Sequence, residues 1–254
     1  MYDKELDIFA DAAVSKYEKA KNSPIQYLMS AVIAGFFIVV AIILSNVTAA
    51  VFYEKSPEVA KFFGAFLFPI AIVLIVFVGG DLFTGNNMTM AIGVYNKKVT
   101  WGNALRVWIL SYIGNFIGAF VLGGLLVMSG SARGILTTYY EAIIPGKLEL
   151  DPLTFFIRGV LCNYLVCLAV FVGKKMESEI GKLVVMFCII TAFVISGFEH
   201  CIANMGTFTI AGFLLGGLPV KQVIMSFVFV TLGNIVGGAF LLAWPLKFVS
   251  SKTK

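Results

Sequence analysis

Charge is what this sequence has least of. Only 13% of its 254 residues are Asp, Glu, Lys or Arg, against 59% hydrophobic, where a soluble domain carries roughly 25% charged residues. That leaves too little polar surface to cover a globule in water, so lipid has to solvate much of the chain. Histidine is nearly absent, with His200 alone. The four cysteines, Cys162, Cys167, Cys188 and Cys201, fall in apolar runs without CxxC or Cys/His spacing. This argues against a zinc site or disulfides and reads as buried packing. No cofactor or metal is expected, and nothing points to an enzyme. The net charge of +5 comes with no nucleic-acid motif; the basic residues sit in short segments between apolar runs, where they set orientation. The length fits one membrane domain, about 25–250, and leaves no room for a second soluble one.

Residues 1–24 are too mixed in charge for a signal peptide. Leu6, Phe9, Ala13 and Tyr17 recur at three or four, which predicts an amphipathic helix ending near Pro24 and lying on the membrane surface or against the bundle. Six spans follow. The first runs from about Tyr27 to Phe52, the third from Ala104 to Met128, the fourth from Pro152 to Val172 and the sixth from Val223 to Trp244. The second, from about Phe62, is interrupted by GGDLFTGNN at 79–87, and the fifth, from about Leu183, by SGFEHCIANMG at 196–206. Irregular backbone at membrane depth is tolerated only where protein buries it or it lines a cavity. Residues 129–151 read as a polar loop. With the N-terminus inside, thirteen Lys and Arg fall on that side, including the tail Lys247, Lys252 and Lys254, against six outside: Lys55, Lys61, Arg133, Lys147, Arg158 and Lys221. Both termini are therefore expected in the cytoplasm of a cell-membrane protein.

The two halves, about 27–128 and 152–246, repeat. GGDLFTGN answers GFEHCIAN, each placing an acid, Asp81 or Glu199, after a glycine turn (Gly80, Gly197) and an asparagine, such as Asn204, shortly beyond. Gly114-Asn115 with Gly118 answers Gly233-Asn234 with Gly237, at nearly equal distance from the acids. Three spans per half is odd, so the halves insert with opposite topology. Paired interrupted helices in inverted repeats point to a permeation site near the midplane.

A histidine in mid-membrane is costly unless paired or facing a cavity. His200 reads either as a buried structural residue or as a donor of a hydrogen bond or proton to a passing anion. Asp81 and Glu199 do not suit an anion path, and are expected to cap the helices that follow the breaks, with proton relay as the alternative. Thr84 and Asn163 read either as substrate contacts or as helix–helix glue. Leu82, Phe83 and Phe193 are either packing residues or a constriction that strips water. Lys147 is either an exposed loop cation or an anion-gathering charge at the outer mouth.

The segments GGDLFTGN, SGFEHCIANMG, SYIGNFIGAF, RGVLCNYLVCLAVFVG and VTLGNIVGGAF resemble the formate/nitrite transporter family over essentially the whole chain, and its hydrosulfide channel branch more than the others. The resemblance implies an all-α, aquaporin-like six-helix protomer of two inverted repeats, with broken second and fifth helices, assembled as a homopentamer with a pore in each protomer. It matches His200 to the central pore histidine, Thr84 to the threonine of the first break, Asn163 to a membrane-embedded asparagine and Lys147 to the outer lysine. Phe83 and Phe193, with Leu82 beside them, fall on the outer apolar ring, and Phe68 and Ile72 on the inner constriction, where Ile72 departs from the leucine of formate channels. The function implied is a passive channel for a small monovalent anion, hydrosulfide first, in contact with membrane lipid. The alternatives are a formate or nitrite transporter with proton coupling, a neutral-solute pore, or a membrane anchor or sensor that transports nothing.

Overall fold

The computed structural model describes residues 2–250; Lys252 and Lys254 of the expected basic tail lie outside that range. Among the described residues there are helices and no strands. The order is α1 (Asp3–Asn22), α2 (Pro24–Tyr53), α3 (Pro57–Leu67), α4 (Ile70–Phe77), α5 (Phe83–Tyr95), α6 (Trp101–Met128), α7 (Arg133–Leu148), α8 (Pro152–Lys175), α9 (Glu179–Ile195), α10 (Cys201–Leu214) and α11 (Val220–Ile235). A π-helical turn at Val236–Leu242 and α12 (Ala243–Phe248) follow.

The continuous spans are α2, α6, α8 and the run from α11 through α12, each long and apolar enough to cross a bilayer. The other two are split as expected: α3 and α4 lead to the break before α5, and α9 leads to the break before α10. Pro69 adds a joint between α3 and α4 that hydropathy did not reveal.

Two expectations need correction. The segment 129–151 is not a polar loop but contains α7, whose Leu136, Tyr140, Ile144 and Leu148 are buried. Those four recur every fourth residue, so one stripe faces the bundle while Arg133 and Glu141 face outward. The sixth span is not one regular helix, because the π turn interrupts it.

The amphipathic α1 forms as its spacing predicts, burying Leu6, Phe9, Ala10 and Ala13. It packs against the bundle, beneath α5. Aromatic stacking of Phe9 on Phe171, at 5.7 Å, joins it to α8.

Two helix pairs hold the halves. On α6, a Cβ at Gly118 would stand 2.2 Å from Val32 O of α2; on the π turn, a Cβ at Gly237 would stand 2.2 Å from Val160 O of α8. Without side chains there the backbones approach to packing distance, which is how apolar helices gain contact energy in lipid. The glycines that the repeat singled out are thus equivalent in space.

Candidate pore site

Both breaks are built the same way. The chain leaves α4 or α9, turns through Gly79 (φ +100°) or Gly197 (φ +69°), where a side chain would be strained, and re-enters a helix at α5 or α10. Re-entry leaves backbone N–H groups unpaired at membrane depth. An asparagine of the facing span closes each one. Asn115 Oδ1 accepts from Phe83 N at 2.9 Å, while its Nδ2 donates to Ala31 O at 2.7 Å and Asp81 O at 3.0 Å. Asn234 Oδ1 accepts from Cys201 N at 2.9 Å, while its Nδ2 donates to Gly159 O at 2.8 Å and Glu199 O at 3.0 Å. All three bonds correspond between the halves.

The acids do not cap these helices, contrary to expectation. Asn115 and Asn234 already occupy the first N–H groups, and on α10 His200 Nδ1 takes Ala203 N at 3.1 Å. Asp81 instead pairs with Lys16 of α1 and accepts from Ser30 Oγ at 2.8 Å. Glu199 is held by Lys147 Nζ, at 2.8 and 2.7 Å to its two oxygens, and by Asn204 Nδ2 at 2.8 Å. Each half thus begins with an amphipathic helix, α1 or α7, that lays a lysine on the acid of its own break. A carboxylate buried as deeply as Glu199 requires such a partner.

Between the breaks, Thr84 Oγ1 lies 3.1 Å from His200 Nε2, and both residues are buried. Because His200 Nδ1 accepts from Ala203 N, the ring proton resides on Nε2 and is donated to Thr84 Oγ1. The Thr84 hydroxyl oxygen is thus the acceptor of this pair. Thr84 is held from behind: Asn163 Nδ2 donates to Thr84 O at 3.2 Å and to Asn234 O at 2.6 Å. Asn163 therefore bridges the two halves.

Two cavities meet here. A central chamber of about 10 Å³ is lined by Ile38, Phe68, Ile72, Leu82, Phe193 and His200. A second, of about 150 Å³, lies on the α7 side and is lined by Asn46, Phe68, Lys147, Phe193, His200 and Thr207. Phe68 and Phe193 border both, their rings 5.9 Å apart and edge to face. They form the partition between chamber and vestibule.

The structure brings together Leu82, Thr84, Phe193, His200, Phe68 and Ile72. It removes Phe83, expected in the apolar ring. Leu82 is the extended residue before α5 and lines the chamber, whereas Phe83 opens the helix and meets Tyr112 edge to face at 5.0 Å. Phe68 moves from the expected inner constriction to the partition. Lys147 is neither an exposed loop cation nor a free one: it lies on α7, and Glu199 neutralises it at the vestibule wall. Gly80 packs tightly, its would-be Cβ 3.0 Å from Ala34 Cβ. Sequence reasoning gave no role to Lys16, Asn46, Asn86 or Tyr27; Asn86 Nδ2 donates to Tyr27 OH at 3.0 Å below the first break. The one signal for part of this was the alignment of Asn86 with Asn204 in the repeat.

Comparison with known proteins agrees with this architecture. The sequence model described as Formate/nitrite transporter matches residues 6–248. The chain is 35% identical to "Uncharacterized transporter YwcJ" of Bacillus subtilis, over 91% of this chain and 92% of that protein. It is 32% identical to "Formate channel BtFdhC" of Bacillus thuringiensis, over 82% and 80%. Among solved structures, an "FNT family ion channel" superposes with a TM-score of 0.89 at 23% identity, covering 97% of this chain and 99% of that one. A "Pentameric formate channel with formate bound" superposes with a TM-score of 0.77 at 29% identity, covering 91% and 100%. The all-helical fold is thus the aquaporin-like one of these channels, and this multi-pass membrane protein belongs to the formate/nitrite transporter family.

Proposed function

We propose that the chain is a passive channel, not an enzyme, for a small monovalent anion, with hydrosulfide as the preferred species. The observation that carries this reading is the central chamber. Its walls are apolar except for the neutral imidazole of His200, which Thr84 Oγ1 holds from behind at 3.1 Å. Such a chamber offers one hydrogen bond and no charge. A diatomic, weakly hydrated anion suits it better than a strongly hydrated one, because little water has to be replaced. At about 10 Å³ it is near the size of a single water. Hydrosulfide, larger than water, needs the lining side chains to move, and a carboxylate needs the Phe68–Phe193 partition to part further.

Formate is the second reading. Relatives named as formate channels and the solved formate-bound channel support it. The latter's description as pentameric supports a homopentamer here, and the lysine and arginine count supports both termini in the cytoplasm. The vestibule's Lys147 draws anions less strongly than a free cation, because Glu199 sits on it.

In liposomes holding the purified protein, hydrosulfide and formate fluxes are compared at matched gradients. Hydrosulfide should run faster, and His200→Phe, which removes the chamber's one polar wall, should slow both about tenfold or more, the value of one hydrogen bond to a charged solute at roughly 1.5–3 kcal/mol. Formate ahead of hydrosulfide would move the substrate. Unchanged flux in His200→Phe would remove the chamber from the path.

A further inference from the structure

Asn87 of α5 is fully buried, and neither its Oδ1 nor its Nδ2 has a hydrogen-bond partner among the described residues. An amide left so in an apolar interior is costly, and buried polar groups in folded proteins are nearly always satisfied by protein or by ordered water. Its surroundings narrow the choice.

Asn87 faces Gly238 in the π turn. A Cβ built on Gly238 would lie 3.1 Å from Asn87 Cβ and 2.8 Å from both Asn163 Nδ2 and Cys167 Sγ. By that measure, Asn87 and Asn163 stand within about 6 Å of each other. The local bonding can then be counted. The carbonyl that a π turn frees from the helix ladder is Ala239 O, since Ala243 N bonds Gly238 O instead. Tyr95 OH donates to Ala239 O at 3.1 Å. Both hydrogens of Asn163 Nδ2 are spent on Thr84 O and Asn234 O. Asn163 Oδ1 receives only a long contact from the Cys167 thiol at 3.6 Å. What remains unmet is one amide with two donors and an acceptor, facing one spare amide oxygen. No formal charge stands among these groups. An ion would go uncompensated there, whereas a molecule that both donates and accepts fits.

We propose that Asn87 and Asn163 hold at least one ordered water in a buried site between α5, α8 and the π turn. This water ties α5 to α8 one helical turn beyond Thr84. Together with Asn163, which donates to Thr84 O, it supports the backbone that carries the Thr84 side chain. The site lies inside the protomer, so it does not depend on oligomeric state.

The test is a structure of the full chain in lipid nanodiscs at a resolution that shows ordered water. A peak within hydrogen-bond distance of both the Asn87 amide and Asn163 Oδ1 is expected. A dry amide packed against Gly238 with no peak overturns the proposal. Asn87→Leu, close in volume but unable to bond water, should lose the peak and lower the melting temperature by several degrees. A melting temperature equal to or above that of the parent is what relief of an unpaired amide would give, and it overturns the proposal as well. If Asn87→Leu does not fold, the parent map alone decides.

Discussion

Replacing Asn234 by leucine should unmake the second break. Leucine keeps the approximate volume and removes every hydrogen bond. Two buried backbone groups then lose their partner, Cys201 N and Glu199 O, now bonded at 2.9 and 3.0 Å, and Gly159 O of α8 loses the second bond, at 2.8 Å, that it accepts besides its helical one. Each buried group left unsatisfied costs about 1–3 kcal/mol. Even at the low end the sum is about 2 kcal/mol, because water has no route to these groups in lipid. For a chain of this size each kcal/mol shifts the melting temperature by about 2–4 °C, so a loss of roughly 4–8 °C is expected. Flux should fall further than stability does, because Cys201 follows His200 directly and its N–H bond fixes the start of α10. The assay is thermal unfolding of the purified protein in detergent, with liposome flux on the fraction that remains folded. Asn115→Leu serves as an internal comparison: its three bonds correspond one for one, so its melting loss should match within about 1 kcal/mol. An Asn234→Leu protein that melts within 1 °C of the parent would refute the clamp.

Three more outcomes are expected. Lys147→Met leaves the buried Glu199 carboxylate with Asn204 as its remaining side-chain partner; stability should drop by about 3–5 kcal/mol, and adding Glu199→Gln should restore most of it in the same melting assay. Gly197→Ala forces a side chain onto φ +69° and should cost about 1–2 kcal/mol, read as a fall in melting temperature with little change in the substrate ranking. Phe193→Ala removes half of the ring pair that divides chamber from vestibule, so anion flux should rise severalfold and formate should gain on hydrosulfide in stopped-flow measurements.

Much of the architecture could be read in advance because it rests on hydropathy and on glycine. The low charge identified lipid as the solvent, and the two interrupted apolar runs placed breaks at 79–87 and 196–206, which overlap the shorter non-helical stretches 78–82 and 196–200 but extend into the first turns of α5 and α10. The nearly equal spacing of Asn115 and Asn234 from the acids revealed the repeat. It did not reveal the clamp, because hydrogen-bond partners on other helices leave no mark in local sequence. Helix α7 was hidden by its charges: Arg133, Glu141 and Lys147 dominated the reading of 129–151, although the buried fourfold spacing from Leu136 to Leu148 was present. Leu82 and Phe83 are adjacent and both apolar, and only the backbone entering α5 decides which one meets the chamber. The lysines on the two acids come from helices 65 and 52 residues away in sequence, a separation no periodicity reports.

The central claim is that an anion, not a neutral solute, passes through the chamber. Liposomes holding the purified protein, exposed in turn to gradients of hydrosulfide, formate, nitrite, chloride and glycerol, test it most directly when flux and current are recorded together. Current with hydrosulfide and formate, and no flux of glycerol above protein-free liposomes, is the predicted result. Glycerol flux without anion current would contradict the account, and so would liposomes that pass nothing.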